Sequence, residues 1–416
     1  MTRHVCAGVI ATVAMGCATP ITGASDALYP PEVLPAYRLE FEDGDWEEAL
    51  EAGFDPAACE NKPVIAARLV YENPVTGEEE VFERVGVRHR GHNIYQDDGI
   101  ERAGFKIVMD AYTEDQALHG KTHINLLGTE GDPTLLRERL ATELMREADV
   151  PAPRVTHARL WIDGKFQGLF PNSEEADDRA FLRDTFGGDE GHTYKVKGYC
   201  GGRAELAWLG PDTTAYVETY QPKAGTDEAD MAEDLVPFLQ CASEPDDAAF
   251  RACLPTWIDL DAWLAEIALD MILPDVDGMA SAGQNFLLHR RVDDDRFVVI
   301  PWDKDQAFRP DIARDGVASL FALEPAWLVG STPVLVTRIR SVFRAEYCAR
   351  AAEMVELHDP SVTLPRIDAL EAMLRDAVHD DPFLDPSSWA TSLDTLREVV
   401  RARDTAVRAE LEGCTP

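Results

Sequence analysis

Apolar and polar residues alternate through the first third of the chain, and further on the apolar positions recur every three to four residues. Alternation predicts strands at 37–41, 64–71, 81–88, 105–110 and 155–162, because successive side chains of a half-buried strand face opposite sides. One helix interrupts them. It follows Asp132-Pro133, an acidic cap with proline in the first turn, carries Leu136, Leu140 and Leu144 on one face, and is stopped by Val150-Pro151. Beyond Tyr194 the longer period predicts helices at 231–240, 260–272, 334–356, 364–377 and 384–411. A hairpin is predicted among them, 285–291 and 296–302, joined by the acidic turn Val292-Asp293-Asp294-Asp295. No internal repeat or heptad run is present. The pattern predicts an α+β chain of two unequal lobes, strand-rich at 36–193 and mainly helical at 194–416.

Composition agrees with a folded chain: 416 residues, 45% hydrophobic and 28% charged, can bury a large core. The formal charge of -37, from 76 acidic and 39 basic residues, argues against a nucleic-acid partner, since phosphate backbones select clustered Lys and Arg. An acidic surface attracts basic or metal-bearing partners instead, unless the charge serves only solubility or a salty habitat.

The start of the chain changes the compartment. Arg3 and His4 precede a short apolar run, Val5 to Met15, which has the outline of a signal peptide at 1–17 and is too short to span a bilayer. Gly16-Cys17 resembles a bacterial lipoprotein cleavage site, at which Cys17 would be lipidated and give the only membrane attachment; plain secretory cleavage before Ala27 is the alternative. Residues 18–35, rich in Ala, Pro, Ser and Thr, read as a flexible tether. Setting aside Cys6 and Cys17 leaves Cys59, Cys200, Cys241, Cys253, Cys348 and Cys414, an even number in an exported chain. Cys241 with Cys253 and Cys348 with Cys414 are the expected disulfides, since each can join neighbouring helices; free buried thiols are the alternative.

The candidate chemistry lies around the hairpin. Asp277 precedes Asn285, the strands follow, and Pro301-Trp302-Asp303-Lys304-Asp305 closes them. An acid, an amide, a hairpin and a second acid, in that order, are what a protein-kinase type of phosphoryl transfer uses: one carboxylate for the attacking hydroxyl, oxygen ligands for a divalent metal. Hard oxygen donors suit Mg2+ or Mn2+. Asp305 is either a second metal ligand or a capping residue. Asp275-Val276-Asp277-Gly278 is also compatible with a piece of a calcium loop, but 279–283 supplies no further ligand except Ser281.

Upstream, Lys106 sits inside an apolar strand, where a charge needs a phosphate or an acid. Arg90, in Arg88-His89-Arg90-Gly91, is a second cation for phosphates, and Glu143 of the predicted helix is the candidate partner of Lys106; an exposed Lys106 is the alternative. The pairs His89/His92 and His119/His123 carry a weaker zinc signal, and Gly198 to Gly202 reads as a loop. No serine is framed as a nucleophile elbow.

These residues resemble the spore coat protein H (CotH) kinase family over nearly the whole mature chain. The resemblance rests on Arg88-His89-Arg90-Gly91 with Lys106, Asn125-Leu126-Leu127, Val150-Pro151-Ala152-Pro153, Asp163 to Phe170, Tyr194-Lys195, Asp277-Gly278, Gln284-Asn285-Phe286 and Pro301 to Asp305. It implies an atypical protein-kinase-like fold, ATP and Mg2+ or Mn2+ as cofactors, Asp277 as the catalytic acid, Asp303 as metal ligand with help from Asn285, and Lys106 on the nucleotide phosphates. The implied reaction moves the ATP γ-phosphate to Ser or Thr of an exported or cell-surface protein. The alternative is a catalytically silent surface or adhesion module, for which scarce nucleotide outside the cytoplasm argues and the joint presence of Asp277, Asn285, Asp303 and Lys106 does not. Two positions depart from the family: Gln284-Asn285 stands where His-Asn is frequent, and Pro171 interrupts the strand at the adenine edge.

Overall fold

A computed structural model describes residues 24–42, 44–55, 62–91, 102–128, 131–198, 202–314, 318–321 and 332–414. The leader with Cys17, and also Cys59, His92 and Cys200, lie outside the described residues.

Seven strands close into a barrel: β1 (Ala36–Phe41), β2 (Ile65–Glu72), β3 (Glu79–Arg90), β4 (Gly104–Val108), β5 (His123–Leu126), β6 (Val155–Ile162) and β7 (Lys165–Ser173), with a short helix α1 (Trp46–Ala52) after β1. The order is β1-β2-β3-β4-β5-β7-β6, and a parallel β1–β6 pairing shuts it. Alternate residues fill the interior, among them Tyr37, Leu39, Leu69, Val87, Ile107, Ile124, Leu160 and Phe170. That is the period-two pattern of the sequence turned inward. β5 and β7 are additional to the predicted strands. β5 is only four residues long, and β7 carries Gly168 and Pro171, which hide its alternation.

The tether expectation is corrected from residue 24 onward. Ala24–Leu28 forms a turn of 3-10 helix, and its Leu28 and the following Tyr29 are buried in the barrel core. Asn172 Nδ2 donates to the Leu28 carbonyl at 2.9 Å and Tyr71 donates to that of Ala27 at 2.8 Å. Two large apolar side chains anchor a stretch whose average composition is that of a linker.

A second, antiparallel sheet has the order β11-β10-β8-β9, from β8 (His192–Val196), β9 (Tyr220–Lys223), β10 (Phe286–Arg290) and β11 (Phe297–Pro301). It is buried on both faces, which explains the unbroken apolar runs of the hairpin. Phe286, Leu288 and Val299 join the main helical core, whereas Leu287 and Ile300 meet Phe181 and Leu182 of α3 (Arg179–Phe186) on the other side.

The main core is built on that sheet by α2 (Arg137–Glu147), α4 (Leu235–Ala242), α5 (Asp247–Cys253), α6 (Leu260–Ile272) and the short α7 (Met279–Ala282), and by α8 (Pro310–Arg314), α9 (Val334–Val342), α10 (Arg344–His358), α11 (Pro360–Asp380) and α12 (Pro386–Glu412). The predicted helix 334–356 is two helices, bent at Phe343, whose backbone leaves the helical region at ψ 35° while its ring is buried. The expected helix start is corrected: α2 begins at Arg137 with Leu136 at its N-cap, so Asp132 and Pro133 lie in the turn before it, from which the Asp132 carboxylate accepts from Arg137 N at 2.7 Å. The face carrying Leu136, Leu140 and Leu144, however, packs into the helical core and not the barrel.

Both expected disulfides are present. Cys241–Cys253 ties the ends of α4 and α5, and Cys348–Cys414 ties α10 to the second residue past α12, with Cα separations of 6.1 and 5.7 Å. Among the described residues no helix is long and apolar enough to cross a membrane.

Candidate active site

A cleft of about 1210 Å³ opens between the barrel and the second sheet. The loop after α6 builds its floor. Asp275 N bonds back to the Asp270 carbonyl at 2.9 Å, and the Asp275 carboxylate accepts from Asp277 N at 3.0 Å. Gly278 follows because a Cβ there would lie 2.5 Å from Asp270 Oδ2 and 2.8 Å from Lys304 Nζ. The Asp277 carboxylate is then gripped by two amides: Asn285 Nδ2 donates to Oδ2 at 2.8 Å, and Gln284 Nε2 donates to Oδ1.

Asn285 and Asp303 stand at the two open ends of the hairpin, joined by Trp302 N donating to the Asn285 carbonyl at 3.1 Å. Both are left-handed, with φ of 56° and 59°. Asn and Asp tolerate this region better than other residues but still at a cost, and such strain gathers at functional sites. The turn aims Asp303 into the cleft, where Arg90 Nη2 lies 3.5 Å from its Oδ1.

Below these two loops a buried cation joins them. Lys304 Nζ donates to Asp270 Oδ1 at 2.7 Å and to Asp275 Oδ2 at 2.9 Å, with Glu266 at 3.8 Å, and all four side chains are sealed from solvent. One ammonium therefore holds the Asp277 loop and the Asp303 turn in register.

The opposite wall is cationic. Lys106 on β4 faces Arg88 on β3 directly across the ladder, a like-charge pairing that costs stability unless an anion answers it. Glu175, just past β7, is that anion: it pairs with Lys106, accepts from Lys195 at 3.3 Å and takes an amide bond from Asn125 at 2.9 Å. Lys195 also donates to Asp177 at 3.0 Å and lies 4.6 Å from the Trp302 ring centre. The whole chain has only eight lysines, and Lys62, Lys106, Lys195, Lys197 and Lys223 all line this cleft. In a chain of charge -37 that concentration marks the cleft as a place for an anion.

Electrostatics separate the two walls. Burial, then the carboxylates of Asp275 and Asp303, pushes the Asp277 carboxyl up to about 6. Burial, then Asp303 and Glu138, holds Asp305 well above the usual carboxylate range. Burial opposes the charge on Glu175, yet Lys106 and Lys195 keep it well below that range. Mutual repulsion among acids on one wall is what a divalent cation relieves. The donor set also fits Mg2+ or Mn2+, being all oxygen, and the buried Glu138 Oε2 has no hydrogen-bond partner. Among the described residues no three His, Cys, Asp or Glu side chains converge into a metal cage. Magnesium sites commonly rely on one or two carboxylates with substrate phosphates completing the shell.

The cleft thus brings together Asp277, Asn285, Asp303, Asp305, Lys106 and Arg90. It does not include Glu143. That residue pairs with Arg139 at 2.7 Å and lines a separate cavity of about 880 Å³. The expected Lys106–Glu143 pair is corrected to Lys106–Glu175, because the apolar side of α2, from which Glu143 was placed, faces the helices. Glu138, five residues earlier and about 140° around α2, is the helix carboxylate that feels Asp303 and Arg90. The sequence pattern did not single out Glu175, Asp177, Glu138, Asp270 or Glu266, and it offered Asp275 only as part of a calcium-like loop. Glu174-Glu175 directly after a strand that runs into the core was the available signal for the first.

Comparison with known proteins bears on the same residues. The family model described as CotH kinase protein matches residues 87–407, from the strand carrying Arg88 to the last helix. The chain belongs to the CotH family. It is also similar to the inner spore coat protein H of Bacillus subtilis (strain 168), 22% identical over 308 residues that cover 72% of this chain and 82% of that protein. The CotH match includes Lys106, Asp277, Asn285 and Asp303, the residues on which the cleft is built.

Proposed function

We propose that this CotH protein is an atypical protein-kinase-like phosphotransferase that moves the γ-phosphate of ATP to a Ser or Thr hydroxyl of an exported or cell-surface protein. The observation that carries the reading is the opposition, across one cleft, of the amide-held Asp277 beside Asp303 and the Lys106–Glu175–Lys195 cluster. A barrel on one side and a helix-rich core on the other also support a two-lobed, kinase-like architecture.

Asp277 accepts the hydrogen bond of the acceptor hydroxyl and orients it for attack. Each of its oxygens has two lone pairs, so the bonds from Gln284 and Asn285 fix the carboxylate and leave room for the substrate. Lys106 and Arg90 offset phosphate charge, and Glu175 aims Lys106. Asp303, Asn285 and Asp305 would hold Mg2+ or Mn2+, which supplies Lewis-acid neutralisation of the transferred group. Two disulfides and the coat-protein name of the Bacillus relative support a place outside the cytoplasm, secreted or anchored through Cys17.

Transfer of labelled phosphate from ATP to a basic protein tests the reading. Asp277→Asn, which keeps shape, should lower transfer roughly 10²- to 10⁴-fold while magnesium-dependent ATP binding persists. An Asp277→Asn protein as active as the wild type would sink the assignment.

A further inference from the structure

Glu138 lies on the first turn of α2, a helix that packs against the turn at Lys304–Gln306, and its side chain is buried beside the cleft. Ser173 Oγ donates to its Oε1 at 2.9 Å, which fixes the carboxylate in one orientation. The other oxygen, Oε2, is buried and has no hydrogen-bond partner. A carboxylate oxygen removed from water and left unsatisfied is costly unless something binds it. The packing of α2 against the turn that follows Asp303 sets Glu138 on the acidic side of the cleft, and Asp303, then Arg90, are the charges that bear most on it. Gly131 lets the neighbouring chain approach closely here: a Cβ on it would stand 2.2 Å from Asp305 Oδ2.

We infer that Glu138 is a further ligand of the divalent cation, bracketing it with Asp303 across the junction of α2 and the Asp303 turn. This rests on the phosphotransferase reading above and adds to it a link between α2 and the metal. Carboxylates from separate elements, with phosphate oxygens completing the shell, satisfy a small hard cation without an all-protein cage. The orphan Oε2 then gains its partner.

The test is Mn2+ binding, measured by titration calorimetry with the wild type and with Glu138→Gln, each with and without a non-hydrolysable ATP analogue. Glu138→Gln is expected to weaken Mn2+ binding roughly 10-fold or more, with metal-free binding of the analogue unchanged. Equal Mn2+ affinity in the folded variant overturns the role of Glu138 alone; no Mn2+ binding by the wild type overturns the phosphotransferase reading with it. Where Glu138→Gln does not fold, anomalous scattering from Mn2+-soaked wild-type crystals decides. An ion about 2.1 Å from Oε2 is the expected result, and an ion on Asp303 out of reach of Glu138 contradicts the inference.

Discussion

At the scale of the residue, the site turns on which acid answers which cation. Lys106 could be recognised from the sequence because a lysine inside an apolar strand demands a partner, but the partner could not. Helical spacing put Glu143 on the apolar side of α2, and the sequence does not say that this side faces the helices. Glu175 comes from a strand end 69 positions from Lys106, a pairing only the closed barrel creates. The consequence is measurable. Glu175→Gln should raise the KM for ATP roughly 10- to 100-fold, the worth of a hydrogen bond to a charged group, whereas Glu143→Gln should leave it unchanged. Steady-state kinetics with the two variants side by side check this, and the reverse ranking would restore the helix residue as the partner.

At the scale of the element, the hairpin and α6 were legible because their apolar runs are long and bounded by turn residues. The second sheet as a whole was not, since β8 and β9 are short and reach the hairpin only through the tertiary fold. The buried ammonium beneath the hairpin was equally hidden: Lys304 reads as one charged residue of an acidic turn, yet it is fully enclosed by Asp270, Asp275 and Glu266. Removing a single member of such a group leaves uncompensated charge in the core. Lys304→Met is therefore expected to destabilise the protein by about 3–5 kcal/mol, read as a lower urea midpoint. A midpoint within error of the wild type would mean that the two loops do not depend on this cation.

At the scale of the whole molecule, the α+β class and the two disulfides were readable from pattern and cysteine spacing, whereas barrel closure was not, because it depends on a parallel β1–β6 contact between distant segments. Two cores meet at the cleft, and the buried Arg102–Asp381 pair at 2.9 Å fastens the barrel to the end of α11. Buried histidines impose a pH dependence on this assembly. Burial, then Arg403, pushes His358 down to about 3, and neither ring nitrogen is hydrogen-bonded. The folded state keeps it neutral while the unfolded chain takes up a proton below about 6.5, so its contribution is present above that value and is lost as pH falls toward 3. Acids with raised values, such as Glu138 and Asp277, work in the opposite sense. The prediction is therefore differential: from about pH 6.5 to about pH 4.5, His358→Phe should gain on the wild type by up to about 1.4 kcal/mol per pH unit in urea unfolding. A stability difference that does not vary with pH would contradict it.

The central claim is that the cleft binds ATP through a divalent cation held at Asp303. Titrating ATP into the wild type and into Asp303→Ala, with and without magnesium, addresses it directly. Binding by the wild type is expected to strengthen with magnesium and to lose this dependence in Asp303→Ala. Wild-type protein that binds no ATP in the presence of magnesium, or an Asp303→Ala variant whose magnesium dependence is intact, would contradict it.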